Sequence, residues 1–342
     1  MAGWRRKNFS LAGLFLLIAI LPVACRIFID DEFGHFLANG PTSVRPYVAT
    51  GPSCRELEEI AQGSLANVRP PPATARFSAA DRKALASTAF GHLCELAKEV
   101  GWRQSATKEE RKAAELLMDR FTEFGYSPEM QDFQVRIGPL RRRSSNIILD
   151  LPGQGEGVVI LGAHYDTVRN SVGANDNASG VGVLLAVAER LAQPPWSSQM
   201  VSVFPFTLRI IAFGSEETGM SGSWHYVDQL TEEESDDIKI MINLDSVGSG
   251  TFLRGPGDRW LTSHVSVVAS REGVSYTSIT EGYSGSDHVP FRYSAEIPVI
   301  SFSGNDMSRI NTRDDTIEFI NPVLLGDTAV LVLVLLASLE DL

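Results

Sequence analysis

Thiols, cationic charge and long apolar runs are all scarce in this 342-residue chain, and each shortage excludes something. It has three cysteines, Cys25, Cys54 and Cys94, and no C-x-x-C pair. A cysteine-built zinc site is therefore excluded. No G-x-S-x-G stretch occurs, so a serine nucleophile on a strand-to-helix elbow has no support. Lys and Arg are outnumbered by Asp and Glu, 30 to 42, and the formal net charge is −12. The acidic balance argues against nucleic acid as a partner. No internal repeat is visible. The apolar tract Ala329–Ala337 is too short to span a bilayer and reads as part of a buried helix, Pro322–Leu339.

What is present begins with a targeting pattern. Arg5, Arg6 and Lys7 precede the apolar run Phe9–Ala24. This gives a signal peptide or a membrane anchor over residues 1–30. Leu21-Pro-Val-Ala-Cys25 loosely resembles a lipoprotein cleavage site, which Pro22 spoils. Whether the segment is cleaved stays open. Either way the positive-inside rule puts the rest of the chain outside the cytoplasm: periplasmic, secreted, or membrane-anchored through residues 9–25. There, Cys54 and Cys94 form either one disulfide or two isolated thiols. Residues 31–77 are rich in Pro, Gly and Ala and read as a linker or stalk with one short helix, Arg55–Gln62.

From residue 78 to 342 the pattern is that of one α/β domain. Ser78–Val100 and Lys108–Phe124 have helical spacing. Asp132–Arg136 and Asn146–Leu151 read as paired strands. Val158–Leu161, Leu208–Phe213, Ile240–Leu244 and Pro298–Phe302 are short apolar runs, as expected for strands buried on both faces. Helices are expected at Ser179–Leu191, Ser223–Leu230 and Leu261–Ser270. The alternation predicts an α/β fold with a mostly parallel central sheet sandwiched between helices. The acidic run Glu232–Asp237 reads as a solvated loop. His35, His92, His225 and His264 read as packed or surface histidines.

In such sheets functional groups gather at the C-terminal strand ends. Here each central strand is followed by polar groups. His164 and Asp166 come after the first apolar run, then Asp176. Glu216 and Glu217 follow the second and Asp245 the third. Ser286-Asp-His288 lies near the next loop. Imidazole and carboxylates converging on one crevice suit zinc when thiolates are absent. Carboxylates can bridge two ions, and a non-ligating one can take a proton from water.

The segments His164-x-Asp166, Gly173-Ala-Asn-Asp176-Asn-Ala-Ser-Gly180, Ser215-Glu-Glu217-x-Gly-x-x-Gly222-Ser223, Asn243-Leu-Asp245 and Ser286-Asp-His288 resemble the M28 family of zinc aminopeptidases. The resemblance covers roughly residues 80–340. It implies a zinc-exopeptidase fold and one or two Zn2+ ions. His164 and Asp245 would ligate one ion, Asp176 would bridge, and Glu217 would ligate the other. Glu216 would be the general base, and Asp166 would orient His164. The Asp176–Asn177 peptide would be cis. The implied activity is removal of N-terminal residues from peptides. Glutaminyl cyclases share the family, so cyclisation of an N-terminal Gln is the alternative, and a weakened metal-binding homologue is a third reading. One position departs from the pattern: Asn311 stands where the family has its last histidine ligand. An amide oxygen is a weak, neutral donor. Asn311, His288 or Asp314 is left as the substitute, or the chain works with one zinc.

Overall fold

The computed structural model describes residues 53–65, 70–194, 204–279 and 285–339, which all belong to one unit, Ala49–Leu342. The targeting segment and Cys25 lie outside the described residues. Three runs make the centre of the sheet: β3 (Val158–His164), β4 (Thr207–Phe213) and β5 (Ile238–Leu244). Alternate residues of each face opposite sides. Leu161, Ile210 and Ile242 join the larger core, while Ile160, Ile211 and Met241 join the smaller one. A strand with core on both faces needs apolar residues on both, which is why these runs are mostly apolar; Arg209 and Lys239 interrupt them near the strand starts.

Two further strands, β1 (Glu129–Ile137) and β2 (Leu140–Leu151), form a hairpin, and β6 (Leu253–Pro256), β7 (Tyr276–Ile279) and β8 (Val299–Gly304) complete eight strands in the order β1-β2-β4-β3-β5-β8-β6-β7. Pairing is parallel through β4, β3, β5 and β8. It is antiparallel between β1 and β2, β2 and β4, and β6 and β8. The short strands β6 and β7 were not expected from the sequence. Each has four residues, too few to show a period.

Helices cover both faces. They are α1 (Cys54–Leu65), α2 (Ala79–Cys94, continued by a π-helical turn to Val100), α3 (Lys108–Glu123), α4 (Gly180–Ala192), α5 (Ser221–Asp228), α6 (Glu232–Asp237), α7 (Arg259–Glu272), α8 (His288–Tyr293) and α9 (Pro322–Ser338). Helix α2 starts at a capping box between Ser78 and Asp81. Helix α9 starts at Asn321, whose side chain accepts from Val323 N, with Pro322 in its first turn. It is apolar on all sides because it is buried on all sides. Two glycines allow close helix packing: a Cβ on Gly182 of α4 would lie 2.4 Å from Ala89 O, and one on Gly326 of α9 would lie 2.8 Å from Arg82 O.

Two sequence expectations are corrected. The acidic run is not a loop but the short helix α6, started by a Thr231–Glu234 capping box. The described part of the expected stalk is packed rather than extended. Leu57, Ala61 and Phe77 enter the main core, and Cys54 is disulfide-bonded to Cys94 of α2 with Cα atoms 5.7 Å apart. Among the described residues no helix is long and apolar enough to cross a membrane.

Candidate metal centre

Because β3, β4 and β5 run parallel, their C-terminal ends share one edge, and His164, the Glu216–Glu217 turn and Asp245 all leave the sheet there. His164 is buried. Its Nε2 lies 3.2 Å from Asp176 Oδ1 and 3.7 Å from Asp245 Oδ1. The three side chains offer ligand atoms all within 4.8 Å of one another, the one such group found among the described residues. On the other side of the ring, Nδ1 is 3.5 Å from Asp166 Oδ1.

Asp176 is brought in by an irregular segment before α4. Gly173 takes a left-handed conformation (φ 54°), where a Cβ would lie 2.2 Å from Asp176 O. The Asp176–Asn177 peptide is cis, as the resemblance implied. Asp315, buried, holds this segment: its two carboxylate oxygens accept from Asn175 N (2.7 Å) and Asp176 N (2.9 Å). Asn177 Oδ1 accepts from Gly180 N and Ser246 N, tying the segment to the loop after β5. Asp245 in turn accepts from Ser246 Oγ at 3.0 Å.

Asp166 organises the remaining side. Its carboxylate accepts from Ser105 Oγ (2.6 Å), Glu216 N (2.8 Å) and Glu217 N (3.2 Å). One buried carboxylate thus faces the imidazole and fixes the turn that carries both glutamates. That turn begins at Ser215, left-handed at φ 57°. Ser215 Oγ donates to Glu110 Oε1 (2.9 Å), which also accepts from Ser144 Oγ (2.9 Å). Arg103 lies beneath the loops, fully buried. Its guanidinium donates to the carbonyls of Gly101, Tyr165, Val172 and Gly173.

Electrostatics show what the cluster needs. Burial pulls the His164 imidazole down, but Glu216, Asp166, Asp176 and Asp245 more than offset this and hold it well above its ordinary pKa. Burial pushes the Glu216 and Glu217 carboxyls well up, and neighbouring acids add to the shift. Asp176 is raised by burial, while for Asp245 burial is outweighed by His164 together with Ser286 and Ser246, which lower it. Asp287, buried, is pushed up to about 7 by burial, and accepts from Ser223 Oγ at 2.6 Å. Crowded buried carboxylates are stable only when paired with cations or metal. Here one imidazole faces six acids: Asp166, Asp176, Glu216, Glu217, Asp245 and Asp287. The buried Oε1 of Glu217 and Oδ2 of Asp287 have no hydrogen-bond partner. An imidazole with two or three carboxylates is a donor set that suits zinc.

Not every expected residue joins the group. Glu217 lies beside it but outside the tight triad. His288 is buried at the start of α8, and burial lowers its pKa to about 4, so the ring is neutral. It too is outside the triad. Asn311 is exposed and left-handed at φ 60°, and exposed Asp314 is outside the triad. Sequence reading missed Arg103, Ser105 and Glu110, and left Asp315 without a role. Glu110 sits among other charged residues at the start of α3, and nothing local marks it as buried.

The model of peptidase family M28 matches residues 146–336. Aminopeptidase YwaD of Bacillus subtilis (strain 168) is 37% identical over 180 residues, 48% of this chain and 37% of that protein. Leupeptin-inactivating enzyme 1 of Streptomyces exfoliatus is 33% identical over 169 residues, again 48% and 37%. The chain therefore matches little more than a third of the length of these curated relatives. Among solved structures, a zinc aminopeptidase from Bacillus subtilis superposes with TM-score 0.65 at 21% identity, over 75% of this chain and 95% of that one. A Porphyromonas gingivalis glutaminyl cyclase gives 0.60 at 21% identity, over 75% and 98%. These likenesses carry the fold. The family match spans more than half of the sequence and includes His164, Asp176, Glu216, Glu217 and Asp245, and on that ground the chain belongs to peptidase family M28.

Proposed function

We propose that the chain is a zinc-dependent aminopeptidase that removes N-terminal residues from peptides. The observation that carries this reading is the convergence of His164, Asp176 and Asp245 at one strand-end crevice beside Glu216 and Glu217. His164, Asp176 and Asp245 would hold one zinc. Asp176 and Glu217 would serve a second, with Asn311 or His288 as its remaining donor. Bound zinc supplies an acidified water and a polarised scissile carbonyl.

The chain's own residues do the rest. Asp166 orients His164 through Nδ1 and fixes the backbone of Glu216. The Glu216 carboxylate takes the proton from water and returns it to the leaving amine. Burial raises its carboxyl well above the usual range, which strengthens it as a proton acceptor. The carboxylates at the rim attract the free amine of the substrate.

The reading also takes the chain to act outside the cytoplasm, either free of any anchor or held by residues 9–25. The Cys54–Cys94 disulfide supports an oxidising compartment, and a Mycobacterium tuberculosis relative, 36% identical over 97 residues, is named a probable lipoprotein aminopeptidase. The cyclase alternative comes from the shared family, and a glutaminyl cyclase shares the fold; the relatives named aminopeptidases favour the peptidase.

The test is zinc content per chain together with release of arylamine from aminoacyl-arylamides, with and without a chelator. Glu216→Gln should keep its zinc and lose about 10²–10⁴-fold in turnover. Zinc-free protein, or full activity in that variant, would overturn the reading. Pyroglutamate formation from a Gln-initiated peptide without amine release from the panel would replace it with the cyclase.

A further inference from the structure

In a chain of net charge −12, four arginines stand together on the β1–β2 hairpin: Arg136, Arg141, Arg142 and Arg143, all exposed. The strands meet at a two-residue turn, Gly138-Pro139, with Arg136 opposite Arg141, Val135 opposite Arg142 and Gln134 opposite Arg143. Like charges directly across an antiparallel pair repel. Arg143 is neutralised by Asp132. Among the described residues no carboxylate forms an ion pair with Arg136, Arg141 or Arg142. Charge on the outermost strand guards a sheet edge against mispairing. That covers Arg136 on β1 and also the start of β2, which pairs with β4 only over Ile147–Leu151; it does not ask for like charges set directly across the pair, as Arg136 and Arg141 are.

The hairpin stands at the rim of the metal centre. Strand β2 runs antiparallel to β4, with Ile147 opposite Ala212. The start of β2 therefore lies at the edge where β3, β4 and β5 end. Asn146 Oδ1 accepts from Gly214 N at 3.2 Å, and Ser144 shares Glu110 Oε1 with Ser215, whose next residues are Glu216 and Glu217. On the inner side, Ala106 packs with Phe133 and Val135 of the hairpin, while its neighbour Ser105 donates to Asp166. Arg142 is two residues past Ser144, about 7 Å along the strand.

The crevice thus carries two opposite fields. Its floor is acidic and suits a free amine, while one wall ends in unneutralised guanidinium groups. We infer that the β1–β2 hairpin, through Arg136, Arg141 and Arg142, selects peptide substrates bearing carboxylates downstream of the cleaved residue. This rests on the peptidase reading and names its substrate class. Allowing about 10–15 Å from the Glu216 turn to the guanidinium heads, the recognised carboxylates fall at about the third to fifth residue of an extended peptide.

The experiment compares Leu-Ala-Ala-Glu-Glu-Ala with Leu-Ala-Ala-Lys-Lys-Ala, in the wild type and in the double variant Arg141→Gln/Arg142→Gln. The wild type should favour the acidic peptide by about tenfold in kcat/KM, mostly through KM. The preference should fall to within about twofold in the double variant, and also in 0.5 M NaCl, where the Debye length is below about 5 Å. Equal rates on both peptides, or a preference unchanged in the double variant, would overturn the inference. If the wild type cleaves no peptide and no arylamide, the peptidase reading is what fails. Fluorescence anisotropy of the labelled peptides needs no turnover and still decides the inference: it stands if the acidic peptide binds more tightly in an arginine-dependent way. Arginine-dependent binding to phosphatidylglycerol vesicles without peptide discrimination would assign the hairpin to a membrane surface and refute it.

Discussion

Asp315 offers a test of how the candidate centre is held together. Its carboxylate is buried and accepts two backbone amides, Asn175 N at 2.7 Å and Asp176 N at 2.9 Å, from the segment that delivers Asp176. Removing an acceptor leaves each buried N–H without a partner, at a cost of about 1–3 kcal/mol apiece. Asp315→Ala should therefore destabilise by about 2–6 kcal/mol. Asp315→Asn keeps one acceptor and turns an NH2 toward the other amide, so it should cost about half of that. Because Asp176 rides on the same segment, zinc affinity should fall by about 10–100-fold, as when an outer partner of a ligand is lost. Urea unfolding gives the first quantity and competition with a chelator at pH 7.5 the second. The neighbour supplies the control: Asp314 is exposed, so Asp314→Ala should stay within about 0.5 kcal/mol of the wild type. If Asp315→Ala unfolds and holds zinc like Asp314→Ala, the carboxylate does not position Asp176.

Two other perturbations read other parts of the fold. The Cys54–Cys94 bond closes a loop of 40 residues between α1 and α2, worth up to about 4 kcal/mol by loop entropy. Cys54→Ser should lower the urea midpoint as much as a reducing agent does in the wild type, and no shift in either would show that α1 docks without the bond. Asp327 is pushed up to about 6 by burial, which outweighs its contact with Arg82. A carboxyl raised on folding contributes stability that is full below its unfolded value near 4 and is lost as pH rises through about 6. In chelator-treated protein, Asp327→Asn should gain about 1–3 kcal/mol on the wild type between pH 4 and pH 7. A difference that stays constant across that range would contradict it.

How much of this was legible in the sequence depended on whether a feature is local. The runs at Val158, Leu208 and Ile240 read as strands because a strand with core on both faces is apolar at nearly every position. The groups that follow them could be assembled into one site because parallel strands end at one edge. The capping box before α6, Thr231 to Glu234, was equally local, and the density of negative charge hid it. Glu110, Arg103 and Asp315 were not legible. Their roles come from partners far along the chain, such as Glu110 with Ser215 and Asp315 with Asp176, and an isolated acid on a helix has no mark of burial.

Asn311 has a second physical account beside that of a changed ligand. Against the family pattern it reads as a zinc ligand changed from His to Asn. In the fold it is exposed, with φ 60°. Asparagine is among the few non-glycine side chains that tolerate this left-handed region. A backbone requirement at residue 311 is therefore sufficient to account for the residue type, with no appeal to metal. Meanwhile the residues of the triad, His164, Asp176 and Asp245, all have neighbours from elsewhere: Asp166 at 3.5 Å from the imidazole, Asp315 on the Asp176 segment, Ser246 on Asp245. The preorganised part of the centre is the part that does not depend on residue 311, so what residue 311 changes bears on the number of ions held rather than on whether the crevice can hold one.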